Sequence, residues 1–96
     1  MRYSKLLWQH TSFEEPFEIY SEHDDFDREV RKIELFRDGT VGFASISESN
    51  HGTQLSLITC PPDEEVNLLP EFQVQDISQD DFELLWQAVH GYAAVA

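Results

Sequence analysis

Ninety-six residues make one domain with a modest core, and a hydrophobic share of 41% with 12% aromatics excludes a disordered tail. Nineteen acidic side chains against six basic ones give a formal net charge of −13, a field that repels nucleic acid and anionic membranes and draws basic partners in. Cys60 is the single cysteine, so an intramolecular disulfide and a cysteine metal cluster are both excluded, and a reducing compartment is the expected setting.

The distribution of charge is sharper than its total. Residues 1–37 hold nine acids and all six bases, a net of −3, whereas residues 38–96 hold ten acids and no base, a net of −10. The opening Met1-Arg-Tyr-Ser-Lys-Leu-Leu-Trp8 has no apolar run long enough for a signal peptide, and no later run approaches a membrane span, so a cytoplasmic protein is expected.

Residues 3–10 alternate loosely and predict a first strand with Leu6 and Trp8 on one face. Thr11 to Pro16 is a loop, and Phe17 to Ser21 alternates again as a second strand able to pair with the first. Glu22-His-Asp-Asp-Phe-Asp27 is a solvated acidic connection with Phe26 as its anchor. Glu29 to Ala44 is the core hairpin. Asp38-Gly39 between two strand-forming runs signals a type I′ turn, which would set Phe36 opposite Val41, Leu35 opposite Gly42 and Ile33 opposite Ala44. One face would then carry Phe36, Val41 and Phe43, and the other Ile33 and Leu35 beside the small Gly42 and Ala44, where a helix would sit.

Ser45 to Thr53 is polar and reads as a mobile loop, and Gln54 to Thr59 as a fifth strand ended by Pro61 and Pro62. A short helical segment is expected near residues 62–69, with Val66 and Leu69 inward and Pro70 as its stop. Phe72 to Ile77 alternates as a short edge strand or extended connector. The clearest helix follows: Ser78 is its N-cap, Asp80 and Asp81 suit its dipole, and Phe82, Leu85, Trp86 and Val89 form one apolar stripe. Gly91 is its expected end, before a frayed tail.

Tyr20-Ser21-Glu22 with Asp24 and Asp25, Glu29 to Gly39 with Gly42-Phe43-Ala44, Gly52-Thr53, Pro61 to Glu65, Pro70-Glu71-Phe72 and Ser78 to Trp86 span nearly the whole chain. Together they resemble the pattern of a family of small bacterial domains of unknown function. The resemblance implies no activity and no catalytic residues. Small acidic domains of this kind are similar to immunity proteins of toxin systems, an analogy of type rather than of mechanism. The chain departs from the pattern in lacking basic residues after Pro70-Glu71-Phe72.

Motifs for chemistry are sparse. His10, His23, His51 and His90 are scattered, with no pair spaced for a metal. The acids of residues 22–27, with His23, are the nearest approach to a hard-cation site but lack a calcium-loop pattern. Ser47, Ser49, Asn50 and His51 share one loop without implying a triad, and Cys60 has no base beside it and reads as a structural thiol. Arg28, Arg31, Lys32 and Arg37 read as intramolecular partners of nearby acids.

The expectation is therefore one α+β domain over residues 1–96, a mostly antiparallel sheet of about four to six strands with a C-terminal helix on one face. Its expected function is that of a non-enzymatic acidic protein, without cofactor or metal, that neutralises a basic bacterial protein, foremost as an immunity protein or toxin inhibitor. The partner-binding residues would be Asp63, Glu64, Glu65, Glu71, Asp76, Asp80, Asp81 and Glu83. Direct nucleic-acid binding and membrane association are not expected, and the oligomeric state stays open. The competing readings are a small metal-dependent hydrolase using the acids of residues 22–27, a nucleic-acid-mimic inhibitor, a domain whose partner is itself, and acidity that serves solubility alone.

Overall fold

Alternation of apolar and polar side chains brings five segments into one open antiparallel sheet. The computed structural model describes the chain except for Phe13, His51, residues 57–61 and Ala96, and for residues 90–95 it describes the backbone alone. In chain order the elements are β1 (Arg2–Trp8), β2 (Glu18–His23), β3 (Glu29–Leu35), β4 (Val41–Ser45), α1 (Asp63–Val66), β5 (Phe72–Asp76) and α2 (Gln79–Val95). The sheet order is β4-β3-β2-β1-β5, so the first four strands form a meander and β5 crosses back to pair with β1. The fold is α+β, as expected, and the alternating residues 72–76 are an edge strand.

The core hairpin exists, but in a different register. Its loop holds three residues, not two: Gly39 N–H donates to Phe36 O at 3.1 Å and Phe36 N–H to Thr40 O at 3.0 Å. Gly39 is left-handed at φ +88°, while Asp38 has negative φ, so the type I′ turn is excluded. Instead Asp38 Oδ1 accepts the Thr40 N–H at 2.9 Å and the glycine completes a bulged three-residue loop. One added loop residue slips the pairing by one and moves side chains to the other face. Leu35 therefore pairs with Val41 and Ile33 with Phe43, while Gly42 and Ala44 pair with Glu34 and Lys32.

This corrects the expected seat of the helix. α2 lies on the face of Ile33, Leu35, Val41 and Phe43, not on the face of Gly42 and Ala44. The stripe itself is as expected: Phe82 is fully buried with Tyr3, Ile33 and Phe43, and Leu85, Trp86 and Val89 pack at the margin. Phe82 meets Tyr3 at 5.3 Å between centroids and Trp86 meets Phe43 edge-on at 5.5 Å. Ser78 caps the helix through Oγ to the Asp81 N–H at 3.0 Å. Gly91 does not end it, since the backbone stays helical to Val95. One glycine costs a helix about 1 kcal/mol, too little by itself to stop a helix whose sequence continues through Ala93 and Ala94.

Three smaller expectations also change. Leu69 is not inward but 48% exposed, because α1 ends at Val66 and turns close behind it. Phe26 does not anchor its loop: it is 72% exposed, with the Arg28 guanidinium 5.2 Å from its ring. Of the expected strand Gln54 to Thr59, residues 54–56 are not strand, and the remainder lies outside the described residues, as do Cys60 and His51.

Gly42 matters for close approach. A Cβ there would run into Thr53 Oγ1, and Thr53, 2% exposed, donates from that atom to Glu34 Oε1 at 2.8 Å. The loop after β4 is thereby tied down across the face opposite α2. A bulge between β2 and β3 pairs Glu22 with Arg31 but His23 with Glu29, stepping over Val30. It turns Glu29 onto that same opposite face, where its carboxylate accepts from Ser21 Oγ at 3.0 Å and from Ser56 N–H at 2.9 Å.

Candidate partner-binding surface

The surface charge of this protein is set by where its few cations are used. Arg31, on the α2 side of β3, donates to both oxygens of Glu22 at 2.6 and 2.9 Å and also to Glu83 of α2. Its guanidinium lies 4.9 Å from the Phe82 ring and 5.1 Å from that of Trp86. Tyr3 Oη donates to the same Glu22 at 2.6 Å. The Arg31 hydrogen bonds hold Glu22 below the usual carboxylate range against the opposing effect of burial, while burial and the bond to Glu22 push the Tyr3 phenol up to about 12.

On the opposite face Lys32 pairs with Glu29 at 3.1 Å, and Arg2 bridges Asp63 at 3.2 Å and Asp27 at 3.5 Å. Arg28 pairs with Asp24 at 2.9 Å. Arg28, Arg31 and Lys32 thus hold acids as expected. Arg37 does not: it donates to the His10 backbone carbonyl, and its guanidinium lies 6.0 Å from the Phe17 ring.

Against this, the eight acids singled out by sequence divide in two. Asp63 and Glu83 are committed to Arg2 and Arg31 inside the fold. Glu64 and Glu65 on α1, Asp76 at the end of β5, and Asp80 and Asp81 in the first turn of α2 are exposed, with Glu71 half-buried before β5. No ion pair involves any of these six among the described residues. Topology brings them to one side. α1 packs against β5 on the face opposite α2, and α2 starts three residues beyond β5, so acids flank the β5 edge on both faces.

That edge is occupied by a side chain. Glu71 O and Ile77 N bond to Gln9 and Tyr3 on the β1 side, so the alternating Phe72, Val74 and Asp76 present their backbone groups outward. Asn67, just past α1, accepts the Val74 N–H on Oδ1 at 2.6 Å and donates from Nδ2 to Val74 O at 3.2 Å. Its amide takes the place of a neighbouring strand's peptide group. Along it runs an open groove of about 440 Å³, lined by Gln9, Leu69, Pro70, Phe72 and Gln73 among others. The β4 edge is closed in a related way: Asn50 Oδ1 accepts from Phe43 N–H at 2.6 Å and Asn50 N–H donates to Phe43 O at 3.0 Å. Covering edges in this manner suppresses indiscriminate strand pairing. Sequence reading missed Asn67 and placed Asn50 only in a polar loop, since the partner of each amide is settled by tertiary topology.

The acids of residues 22–27 do not converge. Glu22 faces α2, His23 faces the other way with Nε2 3.1 Å from Ser4 Oγ, Asp24 ties its own loop, and Asp25 and Asp27 reach toward the N-terminus and Arg2. Among the described residues no group of three or more His, Cys, Asp or Glu is arranged to hold a metal. His23 does line a cavity of about 200 Å³ between the sheet and α1, with Ser4, Ser21, Glu29, Lys32 and Val66. Burial and the nearby Arg2 hold its imidazole below the ordinary value, and its buried Nδ1 has no hydrogen-bond partner among the described residues. Ser47 bonds within its own turn and Ser49 bridges to Ala44, so the serines of that loop serve its shape. No helix among the described residues is long and apolar enough to cross a membrane.

The chain belongs to the family described as Domain of unknown function (DUF6881), whose model matches residues 2–91. No curated protein and no solved structure matches it.

Proposed function

We propose that this protein is a non-enzymatic acidic binding protein that engages and neutralises a basic protein, in the manner of an immunity protein or toxin inhibitor. The observation that carries the reading is the segregation of charge. Arg2, Arg28, Arg31 and Lys32 are neutralised within the fold, while Glu64, Glu65, Asp76, Asp80 and Asp81 flank one sheet edge with no ion pair among the described residues. Exposed Leu68 and Leu69, just past α1, and Leu84 on α2 lie close in the chain to those acids and supply apolar contact area beside the charge.

Such a surface accelerates association more than it tightens a finished complex. Capture of partners from the native host should return a basic protein, whose association rate falls steeply with salt while its dissociation rate changes little. Reversing Asp76, Asp80 and Asp81 together to lysine should slow association, and reversing Glu14 and Glu15, on the β1–β2 loop, should not. Capture that returns no basic protein, or binding indifferent to salt, would remove the reading.

A further inference from the structure

The geometry points to the β5 edge as a strand-addition site: an extended basic segment of the partner docks there as a sixth strand, displacing the Asn67 amide that holds its place. This rests on the proposed engagement of a basic protein and names how that engagement is made. The edge is already prepared for a strand. Val74 presents both backbone groups outward, and a side-chain amide answers them with the donor and acceptor of a peptide unit. Because Asn67 is exposed and follows a helix of only four residues, the incoming backbone has to displace little packing to take its position.

Charge selects the occupant. A strand added beside β5 projects alternate side chains to the two faces of the sheet. On one face they meet the α1 side with Glu64 and Glu65, on the other the start of α2 with Asp80 and Asp81, and Asp76 lies at the strand end. Lysine or arginine is thus favoured on both faces, with apolar residues between them reaching Leu69 and Phe72 in the groove. A second copy of this chain would bring like charges together along the whole edge, which disfavours β5-to-β5 pairing.

The test uses the full chain and a short capped synthetic peptide of repeating Lys-Lys-Val-Val, which sets lysine on both faces of an added strand, followed by amide NMR and hydrogen exchange. Expected are shifts and slowed exchange at Val74 and Asp76, with protection of alternate peptide amides. Asn67→Ala removes the placeholder and should tighten binding by about tenfold, the size of one or two net hydrogen bonds no longer exchanged. Val74→Pro deletes a donor that points away from β1, so it should abolish binding while the spectrum of the fold persists. If that variant fails to fold, a peptide with N-methylated alternate amides makes the same test on the wild-type chain and should not bind. Shifts confined to the α2 acids, or affinity unchanged in Asn67→Ala, would overturn strand addition while leaving an acidic binding surface. Failure of the peptide to bind would overturn strand addition as well, whereas the wider reading stands or falls on capture of a basic protein.

Discussion

Replacing Arg31 with methionine isolates the charged group that joins the sheet to α2 through Glu83. The magnitude depends on which regime the ion pair belongs to. Exposed pairs are worth about 0.2–1 kcal/mol, but the Arg31 side chain is 19% exposed and that of Glu22 9%, which places the pair in the buried class. Removing one member there leaves the other uncompensated, at a cost of about 3–5 kcal/mol. Loss of the guanidinium from the faces of Phe82 and Trp86 adds about 1 kcal/mol, offset in part by the methionine stem. Against a total of about 5–15 kcal/mol for a domain of this size, Arg31→Met should lower the urea midpoint severely without changing the slope. The matching change at Glu22 decides the mechanism. In Arg31→Met with Glu22→Leu no buried charge is left uncompensated, so stability should return to within about 1–2 kcal/mol of wild type, with a residue of loss from the orphaned Tyr3 hydroxyl and the partly exposed Glu83. A loss below about 1 kcal/mol in the single variant, or two single losses that simply add in the double, would refute the argument.

The remaining predictions concern pH, phenol titration and the loop behind β4. His23 is held below its ordinary 6.5, so the unfolded chain takes up the proton first; its contribution to stability is complete above 6.5 and lost as pH falls through the lowered folded value. Glu22, held below 4.5 by Arg31, gives a second loss further into acid by the same sign, and His23→Gln should remove only the first step in denaturant midpoints measured across pH. In alkaline ultraviolet titration the Tyr3 phenol should ionise near 12, with Tyr20, half-buried and bonded to Glu18 at 2.8 Å, later still; a normal titration of these two tyrosines would contradict their bonds to Glu22 and Glu18. Gly42→Ala should cost about 1–3 kcal/mol, since the new methyl meets Thr53 Oγ1 and Cβ at a site too close to yield, and equilibrium unfolding measures it.

Much of the fold was legible because it is local. Period-two runs announced β1 and β5, and Ser78 with the Phe82 to Val89 stripe announced α2, since capping and amphipathic spacing act within a few residues. The hairpin register was not, although its residues were correctly singled out. Asp38-Gly39 suits both a two-residue type I′ turn and a three-residue loop with a left-handed glycine, and the two differ in the sign of one φ angle. That ambiguity exchanges the faces. Burial decides it, because only the observed register puts Ile33 and Phe43 together beneath Phe82.

The same division between local and tertiary information holds for the candidate surface. That residues 38–96 carry acids without a base is visible by inspection, but which acids remain uncompensated is not, because Arg2 and Arg31 cross 61 and 52 positions to reach Asp63 and Glu83. Those two pairings remove charge where α1 and α2 attach to the sheet and leave it where β5 ends the sheet. A strand edge beside uncancelled acids is a different object from a diffuse acidic surface: for the proposed basic segment the charge would supply attraction and the outward backbone of Val74 would supply register. Asn67 reconciles the two, since an unguarded edge would accept any strand, and an amide that must be displaced favours the segment whose charge gains most from replacing it.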